Sequence, residues 1–355
     1  LLKLIYNYFS PHGLEKSKNI SNSSRLVLKE AEKLGITWKI IPGTEIITLN
    51  YHGKEESYFH QIPTSTTALG IYACNNKKTT INLLRQAGLC VPRGYRISKE
   101  HNEDYLKEVF NFLAKPLVIK PGGGTWGENI TVNVTSYKDY LNAIKLAFNY
   151  SSRKTAGAIV EEMFFGEEYR ILLTRKKIIG VLQRIPANVI GDGILTIKEL
   201  IKLKNQEDIR GSKGSDKSHL RIIIDIKLRE YLKEQNLDLD SVVEKGKRIY
   251  LRKVSNVSQG GDAIDFTDQV HPSVKKIALQ AINAIPGLSF AGLDFMSKDI
   301  TKEQTKGNYV IIEVNDSPGF DIHDFPYQGK KRYAAREFLF LIFPELKSNL
   351  ERDIK

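Results

Sequence analysis

With 355 residues, 41% of them hydrophobic, the chain can bury a large core and has the length of two or three domains. No apolar run reaches membrane-spanning length and no signal peptide is visible, so a cytoplasmic protein without a membrane partner is expected. The net charge of +12 is spread along the chain without a dominant basic block, which suits a cytoplasmic enzyme for anionic substrates as well as a nucleic-acid binder. Cys74 and Cys90 have neither metal-site nor redox spacing, so reduced, buried thiols are expected. The chain opens on Leu-Leu rather than Met, as a fragment or a processed product would.

Residues 1–75 read as a small α/β unit. Ser23-Ser24 are expected to cap a helix that carries Val27, Leu28, Ala31 and Leu34 on one face and stops at Gly35. Three strands follow, at Trp38–Ile41, Ile46–Asn50 and Glu56–Phe59, the last two joined by a turn at His52-Gly53. Asn76-Lys77-Lys78-Thr79-Thr80 opens a second helix, ending at Gly88. Lysines at a helix start oppose the macrodipole, so Lys77 and Lys78 read equally well as phosphate contacts or as a solvated basic turn.

Leu117–Lys120 is a compact apolar strand ending in lysine, followed by Pro121-Gly-Gly-Gly-Thr-Trp-Gly127. Gly122, Gly124 and Gly127 match Gly-x-Gly-x-x-Gly, yet dinucleotide and P-loop folds both need a helix after the loop. Here Ile130, Val132 and Val134 alternate with polar residues, which is strand periodicity. A glycine-rich hairpin remains, able to lay backbone N–H groups on phosphates and to close as a lid. A helix over Ser136–Phe148 leads to the apolar strand Ala158–Met163, an acidic turn, and a further strand over Tyr169–Thr174. If the strand continues to Met163, Glu161 and Met163 share its face; a carboxylate or carbonyl there can take an adenine amino group, and Glu168 ribose hydroxyls. Taken singly, these acids read as an exposed turn.

Arg184-Ile-Pro-Ala-Asn-Val-Ile-Gly-Asp-Gly193 leads into a helix over Thr196–Lys204, and Arg210–His219 reads as a mobile polar loop. An amphipathic helix is expected within residues 225–240, and a short strand at Ile249–Leu251 enters the glycine-ended loop Arg252–Gly261. Arg252 could pair with Asp262 or Asp265. A helix over Pro272–Ile285 runs into the apolar segment Gly292-Leu-Asp-Phe-Met296, and Arg332–Phe343 is an apolar helix. Tyr309–Val314 is a buried strand, rich in β-branched residues and stopped by Asp316-Ser-Pro-Gly319. Glu313 and Asn315 leave its same face, and Asp294 sits in a segment able to lie alongside. Carboxylates embedded in Val, Ile, Leu and Phe are costly unless paired, and this oxygen set suits Mg²⁺ held together with phosphates.

The ordered set Asn76-Lys77, Lys120 with its glycine hairpin, Glu161-Glu-Met-Phe164, Glu168, Asp294 and Glu313-x-Asn315 resembles the ATP-grasp superfamily over nearly the whole chain. Arg184–Gly193, Leu251–Thr267 and His323-Asp-Phe-Pro-Tyr327 look most like the C-terminal ligase domain of bifunctional glutathione synthetases, and next like cyanophycin synthetase. The metal strand runs on as Asp316-Ser-Pro-Gly319, nearer the cyanophycin and D-alanine ligase pattern, and the γ-glutamylcysteine-forming domain is absent from these residues.

The resemblance implies an α+β fold in which two subdomains, 76–165 and 166–355, grip ATP behind the N-terminal unit 1–75. It implies Lys77 and Lys120 on the ATP phosphates beneath a lid of Gly122, Gly123, Gly124, Thr125, Trp126 and Gly127. Glu161, Glu162, Met163 and Phe164 would hold adenine and Glu168 ribose, while Asp294, Glu313 and Asn315 would bind Mg²⁺ or Mn²⁺. The implied chemistry is phosphorylation of a carboxylate and attack by an amine, with Arg184 or Arg252 stabilising the anionic intermediates. The implied partners are small amino acids or short peptides, with neither nucleic acid nor membrane; a homodimer or a place in a longer polypeptide stays open. The second reading is a catalytically silent nucleotide-binding module that acts through protein partners.

Overall fold

The computed structural model describes residues 20–122, 129–150 and 157–353. Helix α1 (Asn22–Lys33) lies against the antiparallel sheet β1 (Thr37–Ile40), β2 (Ile46–Tyr51), β3 (Lys54–Phe59) and β4 (Ile62–Pro63), in that order. Its cap is Ser21 rather than Ser23 or Ser24: the Ser21 hydroxyl takes the Ser24 N–H at 3.1 Å, two to three residues earlier than the sequence suggests. The β2–β3 turn is at His52-Gly53, whose φ of 49° and 84° gives the left-handed pair that a two-residue hairpin needs. This sheet has no core of its own. Val27, Leu28, Ile47, Leu49 and Tyr58 pack with Phe320, Phe338 and Leu339 from the other end of the chain.

Helix α2 (Ala68–Asn75) was not expected; α3 (Lys77–Gln86) was, and the structure shows Asn76 as its cap. Gly70 lets α2 rest on the Gly287 backbone, since a Cβ there would lie 2.8 Å from the Gly287 carbonyl. Next come β5 (Gly94–Ile97), α4 (Glu103–Phe112), β6 (Leu117–Pro121), β7 (Thr131–Val134), α5 (Tyr137–Tyr150) and β8 (Ala158–Glu162). They form an antiparallel sheet, β5-β8-β6-β7, over a core of Ile97, Leu117, Ile119, Val134, Tyr140, Ile144 and Val160. The β6–β7 pairing is that of a hairpin; its tip, with Gly123, Gly124, Thr125, Trp126 and Gly127, lies outside the described residues.

The rest of the chain builds around β9 (Glu167–Thr174) and β10 (Ile178–Ile185). A lobe leaves after β10: β11 (Asn188–Ile190), α6 (Ile197–Lys204), β12 (Arg210–Gly211), β13 (His219–Leu220), α7 (Ile226–Glu234) and β14 (Arg248–Tyr250), with its own core of Val189, Ile197, Leu228, Leu232 and Ile249. The expected loop Arg210–His219 is tied at its neck, where Arg210 and Gly211 pair with His219 and Leu220. The chain returns through β15 (Asp262–Asp265), α8 (Pro272–Ala284), β16 (Phe290–Ser297) and β17 (Tyr309–Asn315). It closes with the one-turn α9 (Asp321–Asp324), then α10 (Ala334–Ile342) and α11 (Pro344–Asp353).

The central sheet has the order β15-β10-β9-β16-β17, antiparallel throughout. Strand alternation divides its central residues by face. Tyr169, Ile171, Leu173, Ala291, Leu293 and Phe295 pack on α8 through Val274, Ile277, Ala278 and Ala281. On the opposite face, Leu172 and Phe290 join the core under the N-terminal sheet, while Glu168, Arg170 and Asp294 fill the other end. That charged end is where the candidate site forms.

Candidate active site

Three strands and α3 build the site. Asp294 on β16 stands opposite Glu313 on β17, and Asn315, two residues on, stands opposite Gly292. The two carboxylates and the amide oxygen therefore share a face, as the alternation requires. On β9, Arg170 is the register partner of Asp294; on β10, Arg184 is the partner of Glu168. Arg170 Nη1 pairs with Asp294 Oδ1, and Arg184 Nη2 reaches the same oxygen at 3.0 Å while also gripping Glu168. Burial alone would raise the Asp294 pKa; Arg170 and Arg184 together outweigh it and hold the carboxyl below its ordinary value. For Arg184, burial opposes the charge, but Asp294 and Glu168 keep it firmly protonated.

The lysines come from the neighbouring elements. Lys77, at the first position of α3, sets Nζ 3.3 Å from Glu313 Oε1. Lys120, near the end of β6, is buried and pairs with Glu161 of β8 at 2.5 Å. Burial would depress the lysine, yet Glu161, with smaller help from Glu313 and Asp294, raises its pKa and keeps it charged. Glu313 and Asp294 are thus near enough for Lys120 to feel both. Glu161 packs against Gly94, where a Cβ would lie 2.7 Å from its Cγ.

Other expected residues are placed differently. Glu162 points to the outer edge, accepting the Ala114 N–H at 3.0 Å and facing Arg93 at 3.6 Å. Met163 is fixed through its backbone, its N–H on the Pro116 carbonyl, and Phe164 packs at Gly166. Gly122 ends the strand, its N–H on the Gly157 carbonyl. Arg252 is not brought to the cluster: it forks onto Asp225 with two contacts of 2.8 Å and also donates to the Ile223 carbonyl. Its expected partners are taken, Asp262 by Lys204 and Arg210, Asp265 by Arg332.

The donor set fits a hard cation completed by phosphate oxygens. Two carboxylates and an amide oxygen line one face, and side-chain cations now balance both acids. Among the described residues no three His, Cys, Asp or Glu side chains form a self-sufficient metal cage.

The chain is 35% identical to a cyanophycin synthetase from Geminocystis herdmanii over 332 residues, 94% of this chain and 37% of that protein. It is 35% identical to a glutathione biosynthesis bifunctional protein from Clostridium perfringens over 336 residues, 92% of this chain and 41% of that one. A bifunctional glutathione synthetase from Pasteurella multocida superposes with a TM-score of 0.72 at 29% identity, covering 94% of this chain and 45% of that structure. Over more than nine tenths of its own length the chain is similar to these ligases. No family model matches it. It spans about two fifths of the length of these curated relatives. Its α+β architecture is the ATP-grasp fold, and no helix among the described residues is long and apolar enough to cross a membrane.

On this face the sequence had assigned no role to Arg170 or Arg332, and had marked His323 only as the start of the segment His323–Tyr327. Arg170 had a signal: two residues after Glu168 on a strand, it had to share that carboxylate's face. Nothing local tied His323 and Arg332 to this face: His323 reaches the sheet from the one-turn α9 and Arg332 from the irregular stretch after it.

Proposed function

We propose that the chain is an ATP- and Mg²⁺-dependent carboxylate–amine ligase. The observation that carries this is the pairing of Asp294 with Glu313 across β16–β17, with Lys77, Arg170 and Arg184 on the same two carboxylates. Such a face takes a phosphate chain and its counter-ion: the acids bind the cation and the bases the phosphate oxygens. Asp294, Glu313 and Asn315 would hold Mg²⁺, with Mn²⁺ as a substitute, and that cation would offset charge on the phosphoryl group. Lys77 and Lys120 would meet the phosphates. Glu161 and the backbone near Met163 would meet adenine.

In the first step an oxygen of the substrate carboxylate bonds to the γ-phosphorus and the bond to the ADP oxygen breaks. In the second, an amine attacks the acyl phosphate, inorganic phosphate leaves and the amine gives up a proton. Arg184 lies beside the oxyanions that both steps develop; Arg252, held by Asp225, drops out of this role. Glu168, engaged by Arg184 and also hydrogen-bonded by Ser255, orients that guanidinium, and a ribose hydroxyl would share it with those partners. The substrates are small amino-acid or peptide acids and amines, in keeping with relatives named for glutathione and cyanophycin synthesis. A soluble cytoplasmic location belongs to the same reading.

The test is ADP release with a panel of amino acids and dipeptides. ADP should form only when an acid and an amine are both present, and Glu313→Gln should abolish it with the fold intact. Vigorous ATP hydrolysis with neither substrate, unmoved by adding any pair, would refute the ligase reading; wild-type turnover in Glu313→Gln would refute the metal assignment.

A further inference from the structure

Behind the charged face sits a histidine that the reaction outlined above does not use. His323 is completely buried, and neither ring nitrogen has a hydrogen-bond partner among the described residues. Buried polar atoms left in this way are costly and rare. Arg184 Nε is a second such orphan in the same region.

Two glycines define where these groups lie. A Cβ at Gly180 would be 2.7 Å from His323 Nδ1 and 3.3 Å from Arg332 Cγ, so the imidazole covers Gly180 directly. Gly180 pairs with Leu172 and Leu172 with Gly292, which puts all three in one row across β10, β9 and β16. A Cβ at Gly292 would be 2.8 Å from Arg170 Cζ. The same row thus makes room for the imidazole at one end and the Arg170 guanidinium at the other. Behind the ring, Arg332 donates its N–H to the His323 carbonyl at 3.0 Å and anchors its own guanidinium on Asp265 and Asp268.

Burial and the nearby charges of Arg170, Arg184 and Arg332, only partly opposed by Asp265, push the imidazole down to about 3. It is neutral at working pH, with one N–H and one acceptor nitrogen. Around it are guanidiniums, which only donate, and Arg184 holds a donor with nothing to receive it. Both arginines are now committed to Asp294. A guanidinium drawn toward a substrate phosphoryl group loosens its hold on that carboxylate, and an N–H turned away from it toward the ring then needs another acceptor.

We propose that His323 is a positioning residue for Arg170 and Arg184, its free ring nitrogen accepting a guanidinium N–H when a bound phosphate chain draws the pair off Asp294. This rests on the ligase reading, and two measurements separate them. The first needs only nucleotide binding: the ring ¹⁵N resonances of His323 are followed as a non-hydrolysable ATP analogue with Mg²⁺ is added, and assigned by their loss in His323→Asn. The acceptor nitrogen should move to the position of a hydrogen-bonded imidazole; resonances unmoved at saturation overturn the proposal, whatever the enzyme turns over.

The second is kinetic. His323→Leu should lower kcat about tenfold to a hundredfold, the usual cost of removing a group that orients an active-site side chain, with the KM for ATP within about twofold. His323→Asn, which restores an acceptor near Nδ1, should recover most of the loss. Gly180→Ala, which keeps the imidazole but drives it off the glycine, should repeat the kcat defect. An undiminished kcat in His323→Leu overturns the proposal, as does an equal fall in the Leu and Asn variants, which marks packing alone. If His323→Leu does not fold, the titration decides. Absence of acid- and amine-dependent ADP release in the wild type sinks the ligase reading and leaves the titration to judge His323.

Discussion

Arg170→Met tests the charge balance at the centre of the sheet. Asp294 is buried between two guanidiniums, and Met fills much of the arginine's volume without its charge. Removing one partner from a buried ion pair costs about 3–5 kcal/mol, because the remaining charge is left uncompensated. Arg184 stays 3.0 Å from the same oxygen, so the lower end, about 3 kcal/mol, is expected. Asp294→Asn should cost less, since Arg184 keeps Glu168 and Arg170 is left facing a neutral amide. The double variant should then be more stable than the sum of the two by about 2 kcal/mol, within the range of contacting charged residues. Urea denaturation of the four proteins at neutral pH, with the slope held constant, supplies the cycle. Additivity within about 0.5 kcal/mol would mean the pair is not coupled, and the account of Asp294 as held down by Arg170 would fail.

Asp321 and Asp262 carry the other predictions. Burial raises the Asp321 carboxyl to about 6 despite hydrogen bonds from Ser23 and Asn22, and Asp324 adds to the rise. A folded pKa above the unfolded one contributes stability that is complete below about pH 4 and is lost as pH climbs through about 6. Asp321→Asn should therefore raise the melting temperature at pH 8 but not at pH 4, a gain of about 1–2 kcal/mol after discounting for its partial exposure; an equal change at both pH values refutes the assignment. Asp262→Asn leaves the buried Lys204 and Arg210 cations facing an amide, at a cost of about 3 kcal/mol. Amide exchange should speed up at Arg210–Gly211 and His219–Leu220 while the β16–β17 ladder keeps its protection, and unchanged exchange in the lobe would contradict the anchoring role.

Features that rest on strand periodicity were legible in the sequence. Tyr309–Asn315 is a strand, and Glu313 and Asn315 share its face because side chains alternate. The pairing of Asp294 with Glu313 needed only that the two apolar segments be neighbours, which they are. The helix starts at Asn76 and Thr196 and the turn at His52-Gly53 were equally local. The unread parts depend on strand order. Arg170 meets Asp294 because β9 lies beside β16, and Arg184 reaches it from one strand further, although the sequence separates these residues by more than a hundred positions. The strand Ile178–Ile185 itself was passed over, since an apolar run with a central glycine has no alternation to report. The partner of Arg252 was misread for the same reason: Asp262 and Asp265 follow it in the sequence, but the lobe folds Asp225 against it.

The lobe from Asn188 to Gly261 bears on the site through the register of a single strand pair. β10 ends with Arg184 opposite Ala263 and Ile185 opposite Asp262, so the chain leaves for the lobe and returns from it at adjacent positions of the β10–β15 ladder. Asp262 closes that mouth: it receives the Asn188 amide at 2.8 Å and Lys204 at 2.7 Å, and Arg210 pairs with it from the neck of the 210–219 loop. His219 seals the other side of the neck, its Nε2 taking the Ala263 N–H at 3.2 Å as a neutral ring that burial pushes down to about 4. Ala263 is the residue paired with Arg184. A displacement of the lobe therefore pulls first on the backbone beside the arginine that grips Glu168 and Asp294, whereas β17, at the far edge of the sheet, feels it only through three intervening strand pairs.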